Sequence, residues 1–408
     1  MKQFLQIALG ILSAIGGFVD IGDLVFNTQA GATFGFELLW VVVVGVVGII
    51  VYSEMCGRVA AVSKRPVFDL VRERVGFSAG LGTLVASEIV NLMTCAAEVG
   101  GVAIVLQLLS GAPYRLLILL GVIGIVVISW VLPFEWLERL FGYLGLCLLV
   151  FAVAAVKVHP SWGHVAHGFV PSIHPTNHLV YLYFVVGLLG AALTPYEVYF
   201  YSSGAVEDGW GPKDLRINKI TAMIGYGLGA FLSFALMITA AVLFLPKGID
   251  PQFLGTPALG AEAALGKIGL LLALVGILFA VGGAAIETSF SGAYNLAQFF
   301  GWQWGKRERP SGAPRFALSW IVIFVLALGI VMTGYDPVKI TEYSVIFSVV
   351  ALPLTFLPIL LVANDPTYMG RFRNGRLANV LGVVYFLLIL AISVSAIPLL
   401  ILSNGGQG

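Results

Sequence analysis

Charge is what this chain has least of. Of its 408 residues only 22 are Lys or Arg and 21 are Asp or Glu, 11% in all, against 59% hydrophobic residues. A soluble globular domain carries about 25% charged residues. A water-soluble core cannot hide this much apolar surface, so the chain reads as a polytopic membrane protein embedded in a lipid bilayer. No hydrophilic stretch is long enough to fold as a separate soluble domain. The net charge of +1 gives no pointer to nucleic acid, and none is expected as a partner. Cysteine is scarce too. Cys56, Cys95 and Cys147 fall in or beside hydrophobic segments and read as small buried hydrophobes, not as a disulfide framework. The five histidines (His159, His164, His167, His174 and His178) crowd into one Pro/Gly-containing stretch. They read as solvated loop side chains, with a low-affinity metal-capture patch as the sharper alternative. No histidine lies inside a hydrophobic segment, which excludes an intramembrane histidine relay. No Ser/His or Cys/His arrangement and no embedded zinc motif is present, so neither an enzyme nor a resident cofactor is expected.

A span needs roughly 20 apolar residues. Breaks at charge clusters and Pro/Gly turns predict eleven helices, at 4–34, 37–59, 79–109, 115–133, 138–157, 179–205, 217–245, 267–299, 316–334, 338–363 and 377–403. Met1-Lys2 and the apolar run behind it imitate a signal peptide. The run, however, leads into an acidic motif with no persuasive cleavage site, and it reads as the first span. With the N-terminus in the cytoplasm, only Arg115, Lys157, Lys247, Lys267 and Lys339 of the 22 basic residues fall on the outer side. That bias is the positive-inside pattern. It places the chain in the cell membrane with its C-terminus outside.

Two helix-breaking acidic motifs interrupt these segments: Asp20-Ile21-Gly22-Asp23 in the first span and Thr194-Pro195-Tyr196-Glu197 in the sixth. A carboxylate within a bilayer is costly, so it faces a cavity and marks an ion or substrate path. Gly16, Gly17 and Gly22 loosen the first helix. Pro195 removes a backbone donor and frees carbonyls near Ala191 and Ala192. The donor set is all oxygen: the carboxylates of Asp20, Asp23 and Glu197, the Thr194 hydroxyl and the Ala191 carbonyl. Oxygen donors suit Mg²⁺, Ca²⁺ and Mn²⁺, whereas sulfur suits softer ions. The broken helices lie five apart, and an odd spacing inverts the second unit. The predicted fold is therefore all-α and LeuT-like, a single transporter domain over 1–408. Its first repeat is 1–157, its inverted repeat 179–363, and an eleventh helix follows at 377–403. Four further acids lie within spans. Glu54 is four residues before Arg58 and reads first as a helix-face ion pair. Glu98, in mid-helix, is a candidate for a polar pathway, and Glu287 and Glu88 are weaker candidates.

The stretch from Asp20 to Asp23, followed by Gln29-Ala30-Gly31-Ala32-Thr33-Phe34-Gly35-Phe36-Glu37-Leu38-Leu39-Trp40, resembles the first helix of the NRAMP (natural resistance-associated macrophage protein) metal transporters. Their pattern is D-P-G-N, then Q-A-G-A-x-F-G-Y-x-L-L-W. Glu54-Met55 with Arg58, Ala97-Glu98 with Gly101, Gly190-Ala191 with Thr194-Pro195, and Leu352-Pro353 fall on four more of the family's motifs. The resemblance implies a metal site of Asp20, Asp23, Ala191 and Thr194, with departures. Asp23 stands at an asparagine position, Thr194 at the methionine, Glu197 at another asparagine and Val345 at a glutamine. Tyr196 and Tyr201 stand at the histidine positions, and Cys95 at an aspartate. The pattern is similar to the divergent NRAMP-related magnesium transporters. It implies a uniporter, expected as a monomer, carrying Mg²⁺ and also Mn²⁺ into the cytoplasm by alternating access. Two other readings stand beside it. A proton-coupled Mn²⁺/Fe²⁺ symporter is opposed by Tyr196, Tyr201 and Cys95. A sodium-coupled amino-acid transporter is opposed by Asp23 and Glu197, which would repel the substrate's carboxylate.

Overall fold

The structure is a computed structural model that describes residues 19–172 and 176–407. The expected beginning of the first span, with Gly16 and Gly17, and His174 lie outside the described residues. Every regular element among the described residues is helical. In chain order they are α1 (Ile21–Phe34), α2 (Leu39–Ser63), α3 (Val67–Val75), α4 (Phe77–Ser110), α5 (Tyr114–Val131), α6 (Phe134–Gly145), α7 (Leu149–Lys157), α8 (Trp162–His167), α9 (His178–Ala192), α10 (Pro195–Glu207), α11 (Leu215–Leu243), α12 (Thr256–Phe300), α13 (Pro314–Met332), α14 (Pro337–Asn364), α15 (Pro366–Met369) and α16 (Arg376–Leu402), besides three one-turn 3₁₀ segments.

Taking α6–α7 and α9–α10 as one unit each, ten helical units of the described residues are long and apolar enough to cross a membrane. The chain is a multi-pass membrane protein. Most observed ends fall within a few residues of those predicted, because Pro, Gly and charge mark them. Pro113 and Pro133 precede α5 and α6, and Gly111 closes α4 in a left-handed turn (φ 70°). Three features differ from expectation. The stretch between the second and third spans folds as the amphipathic α3. Part of the histidine-rich loop is helical, as α8. The eighth span begins eleven residues early, at Thr256, and the backbone turns at Gly266 (φ 65°, ψ −156°). At 9 and 6 residues, α3 and α8 are shorter than the stretch over which apolar periodicity tells a helix from a loop.

Burial sorts the helices into centre and rim. In the most apolar 18-residue stretch of α4, 78% of residues are buried, and in that of α9–α10, 83%; for α5 and α16 the figure is 28%. The rim presents Val131, Leu377, Val394 and Ile401 outward, as helices facing hydrocarbon must. At the centre, α4 packs along α12, α14 and α13, while α1 is held between α11, α9 and α14. α1 thus lies against α9, the first half of the broken sixth span.

Candidate functional site

The predicted break at Thr194 is present, and at the first motif the described residues begin just ahead of α1, with Asp20 outside the helix. Asp20 is extended (φ −83°, ψ −179°) and caps α1, its Oδ1 accepting the Asp23 N–H at 2.9 Å. Asp23 lies in the first turn, where its Oδ1 accepts from Asn27 Nδ2 at 3.2 Å and from Ser233 Oγ of α11 at 3.4 Å. Gly22 lets the neighbouring helices close in. A Cβ there would stand 3.0 Å from both Asp20 Oδ1 and Val345 Cγ2 of α14. In the second break, α9 ends at Ala192, Thr194 is extended, and Pro195 opens α10. The Ala191 carbonyl would take its helical bond from the amide of residue 195, and proline has none. Glu197 sits in the first turn of α10. Both α1 and α10 therefore have carboxylates at their N-termini, where the helix dipole favours negative charge.

These residues surround two neighbouring cavities. One, of about 10 Å³, is lined by Asp20, Gly22, Thr94, Thr194, Tyr196, Thr341, Ser344, Val345 and Ser348 among others. The other, of about 20 Å³, is lined by Asp23, Asn27, Ala191, Glu197, Tyr226 and Ser233 with apolar neighbours. Each is of the order of one water-sized species. The structure thus puts Asp20 and Thr194 on one cavity and Asp23, Ala191 and Glu197 on the next, joined through the Asp23 amide. Among the described residues, no three His, Cys, Asp or Glu side chains are drawn together tightly enough to hold a bare metal ion. Asp20, Asp23 and Glu197 are 2%, 9% and 8% exposed. None takes part in any ion pair among the described residues.

The surrounding candidates divide. Tyr196 faces Asp20, its hydroxyl 3.5 Å from Oδ2. Glu98 is fully buried; its Oε1 accepts from Thr288 of α12 at 3.3 Å and its Oε2 has no partner. Tyr201 donates away from the cavities, to Asn218 Oδ1 at 2.9 Å. Glu54 is gripped by Arg58 at 3.0 and 3.1 Å, and Arg58 also bonds the Phe372 carbonyl and Asn374, both at 2.7 Å. Glu54, Tyr201, Glu98 and Glu287 line neither cavity. Sequence reasoning missed Asn27, Ser233 and Tyr226. Asn27, one helical turn after Asp23, was legible by spacing. Ser233 and Tyr226 lie on α11, which carries no break or charge to mark them. Towards the far end of α1, Gln29 Nε2 bonds Glu342 Oε1 at 3.0 Å, and Lys339 holds the other oxygen at 2.8 Å. This link ties α1 to α14.

A family model described as natural resistance-associated macrophage protein-like matches residues 10–398. The divalent metal cation transporter MntH of Agrobacterium fabrum is 26% identical over 383 residues, covering 90% of this chain and 80% of its own length. The chain is similar in structure to the manganese transporter of Eremococcus coleocola, with a TM-score of 0.80 at 21% identity, covering 97% of this chain and 86% of that one. A nucleobase-cation-symport-1 family transporter in a closed conformation aligns at a TM-score of 0.58 and 16% identity, covering 96% and 91%. The fold is that of the LeuT-like transporters.

Proposed function

This chain belongs to the natural resistance-associated macrophage protein-like family, and on that footing we propose that it carries divalent metal ions across the membrane. Its chief cargo is Mg²⁺, with Mn²⁺ beside it. It works as a uniporter by alternating access and is neither an enzyme nor a cofactor protein. Relatives named as divalent metal cation and manganese transporters support the coarser part of this reading. The observation that carries the finer part is a set of three buried carboxylates, without a basic partner among the described residues, at the N-termini of α1 and α10. Such charge in a membrane calls for a cation. The donors facing it are oxygens throughout, with Thr194 where sulfur would favour a softer ion.

Mg²⁺ sheds water reluctantly and is held through one or two carboxylates and retained waters. Two small cavities with carboxylates divided between them suit that mode better than a stripped ion. Asp20 and Asp23 supply the main attraction and Glu197 reinforces it. The Ala191 carbonyl, Asn27 and Ser233 orient the ion's waters. Alternating access opens and closes the two ends of the site in turn. The Gln29–Glu342–Lys339 link holds one end, and the Arg58 network ties α2 to the α14–α16 connection at the other.

Uniport follows from the tyrosines. An unperturbed tyrosine titrates near pH 10 and does not cycle a proton at neutral pH as histidine does. An inside-negative potential supplies about 4.6 kcal/mol per 100 mV to each entering Mg²⁺, twice the single-charge value. The positive-inside pattern puts the N-terminus in the cytoplasm and the C-terminus outside, and the working unit is a monomer. One observation favours a second reading, proton-coupled Mn²⁺ transport: Glu98 is buried with one oxygen unpartnered.

The test is calorimetric titration of the purified protein with Mg²⁺ and with Mn²⁺. Binding of both should disappear in Asp20→Ala and Asp23→Ala and weaken in Glu197→Ala. Unchanged Mg²⁺ binding in the first two variants would put the ion elsewhere.

A further inference from the structure

We propose that Glu88, Asn91 and Asn295 form a second buried cation site, for a monovalent alkali cation such as Na⁺, between α4 and α12 and beneath α13. It lies outside both cavities described above.

Asn91 and Asn295 are 0% exposed. Neither polar end of Asn91 has a partner. Asn295 Nδ2 donates to Ser87 Oγ at 2.8 Å, which leaves its Oδ1 unpaired, and Glu88 Oε1 is buried and unpaired as well. The heads converge. A Cβ built on Gly292 of α12 would meet Glu88 Oε2 at 2.8 Å, Asn91 Nδ2 at 3.3 Å and Ile323 of α13 at 2.6 Å. The missing side chain at Gly292 is what admits these groups. Buried polar atoms in proteins are nearly always satisfied, and each exception needs an explanation. Here three acceptor oxygens from two helices, Glu88 Oε1, Asn91 Oδ1 and Asn295 Oδ1, lack donors.

The charge balance selects the ligand class. The cluster holds one carboxylate, and among the described residues Glu88 has no ion-pair partner. A single positive charge neutralises it. A divalent ion would leave excess charge in a medium where uncompensated charge is costly. The oxygen-only acceptors suit an alkali cation. The opposing description is a protonated Glu88 with bound water, which would be indifferent to Na⁺.

The experiment is ²²Na⁺ binding to the purified full-length chain by scintillation proximity, with choline as the ionic-strength control. Saturable binding is expected, retained in Asp20→Ala and at least 10-fold weaker in Glu88→Gln. Retention in Asp20→Ala separates this site from the divalent one, so either proposal can fail alone. If Glu88→Gln does not fold, Asn295→Ser serves, with at least 5-fold weaker binding expected. Melting should rise by a few degrees when NaCl replaces choline chloride in the wild type and not in the variant. Absence of saturable binding, or binding that survives Glu88→Gln or Asn295→Ser unchanged, would overturn the proposal.

Discussion

Gly22→Ala places one methyl group at the meeting point of both broken helices and α14. Its Cβ would lie 3.0 Å from Asp20 Oδ1, 3.0 Å from Val345 Cγ2 and 3.7 Å from Ala191 Cβ. Two stability effects oppose each other. Replacing glycine by alanine in a helix gains about 1 kcal/mol, and overpacking costs about 1–3 kcal/mol. The net loss is about 0–2 kcal/mol, so the variant should fold and purify. Transport should suffer far more. The methyl displaces the Asp20 carboxylate by a few tenths of an ångström and disturbs its 2.9 Å bond with the Asp23 amide. A hydrogen bond to a charged group contributes about 1.5–3 kcal/mol, which corresponds to roughly 10- to 150-fold in affinity. The assay is Mg²⁺ influx into liposomes below saturation, normalised to folded protein, beside a thermal melt. Influx at least 10-fold down with a small melting shift is expected. Val345→Ala in the same chain opens one side and should recover part of the loss. Wild-type influx by Gly22→Ala would show that Asp20 does not set the ion's affinity.

Other outcomes follow from the same geometry. Thr194→Met alone should move preference towards Mn²⁺ or Cd²⁺ only modestly, and Asp23→Asn, Thr194→Met and Glu197→Asn together should move it further. Mg²⁺ competition against Mn²⁺ uptake reads this, and no change in the triple variant would place selectivity outside these residues. Tyr196→His sets a group with an ordinary pKa near 6.5 beside Asp20, so influx should become pH-dependent between pH 5.5 and 7.5, about one unit either side. A flat profile would mean that residue 196 does not act on Asp20. Arg58→Ala strands Glu54, Asn374 and the Phe372 carbonyl and should cost about 3 kcal/mol of stability, while Glu54→Gln should leave Mg²⁺ affinity intact. A changed Mg²⁺ affinity would make Glu54 a pathway residue. On the exposed side of α3, Arg65 from just ahead of the helix bonds both oxygens of Glu73 at 2.6 and 3.0 Å and holds that carboxyl below its usual range. Its contribution is present above the ordinary glutamate value and is lost as pH falls through the lowered one. For so exposed a pair it is under about 1 kcal/mol, and hydrogen exchange of α3 against pH measures it.

The span pattern and both breaks were legible because membrane insertion writes them strongly. Apolar stretches must be long, and Pro195 and the Asp20 motif can sit within them only where a cavity takes the freed groups. The acidic and hydroxyl residues at these motifs were readable for the same reason. What could not be read was arrangement. Nothing in the order of residues told that Asp20 and Glu197 would face different cavities, because that depends on the rotation of α1 against α9 and α10. Ser233 and Tyr226 enter the site through packing of α11, which shows no local signal. Glu54 looked from spacing like a partner of Arg58, yet the links from Arg58 to Phe372 and Asn374 cross more than three hundred residues of chain. The link from Asn295 of α12 to Ser87 of α4 was equally invisible.

Transport of Mg²⁺ down its own gradient through Asp20 and Asp23 is measured in proteoliposomes at clamped potential with a Mg²⁺ indicator and a pH dye inside. Mg²⁺ entry should steepen with inside-negative potential, vanish in Asp20→Ala and leave lumenal pH unchanged. Lumenal acidification that tracks Mg²⁺ entry and disappears in Asp20→Ala would contradict uniport, and Mn²⁺ entry without Mg²⁺ entry would contradict the choice of ion.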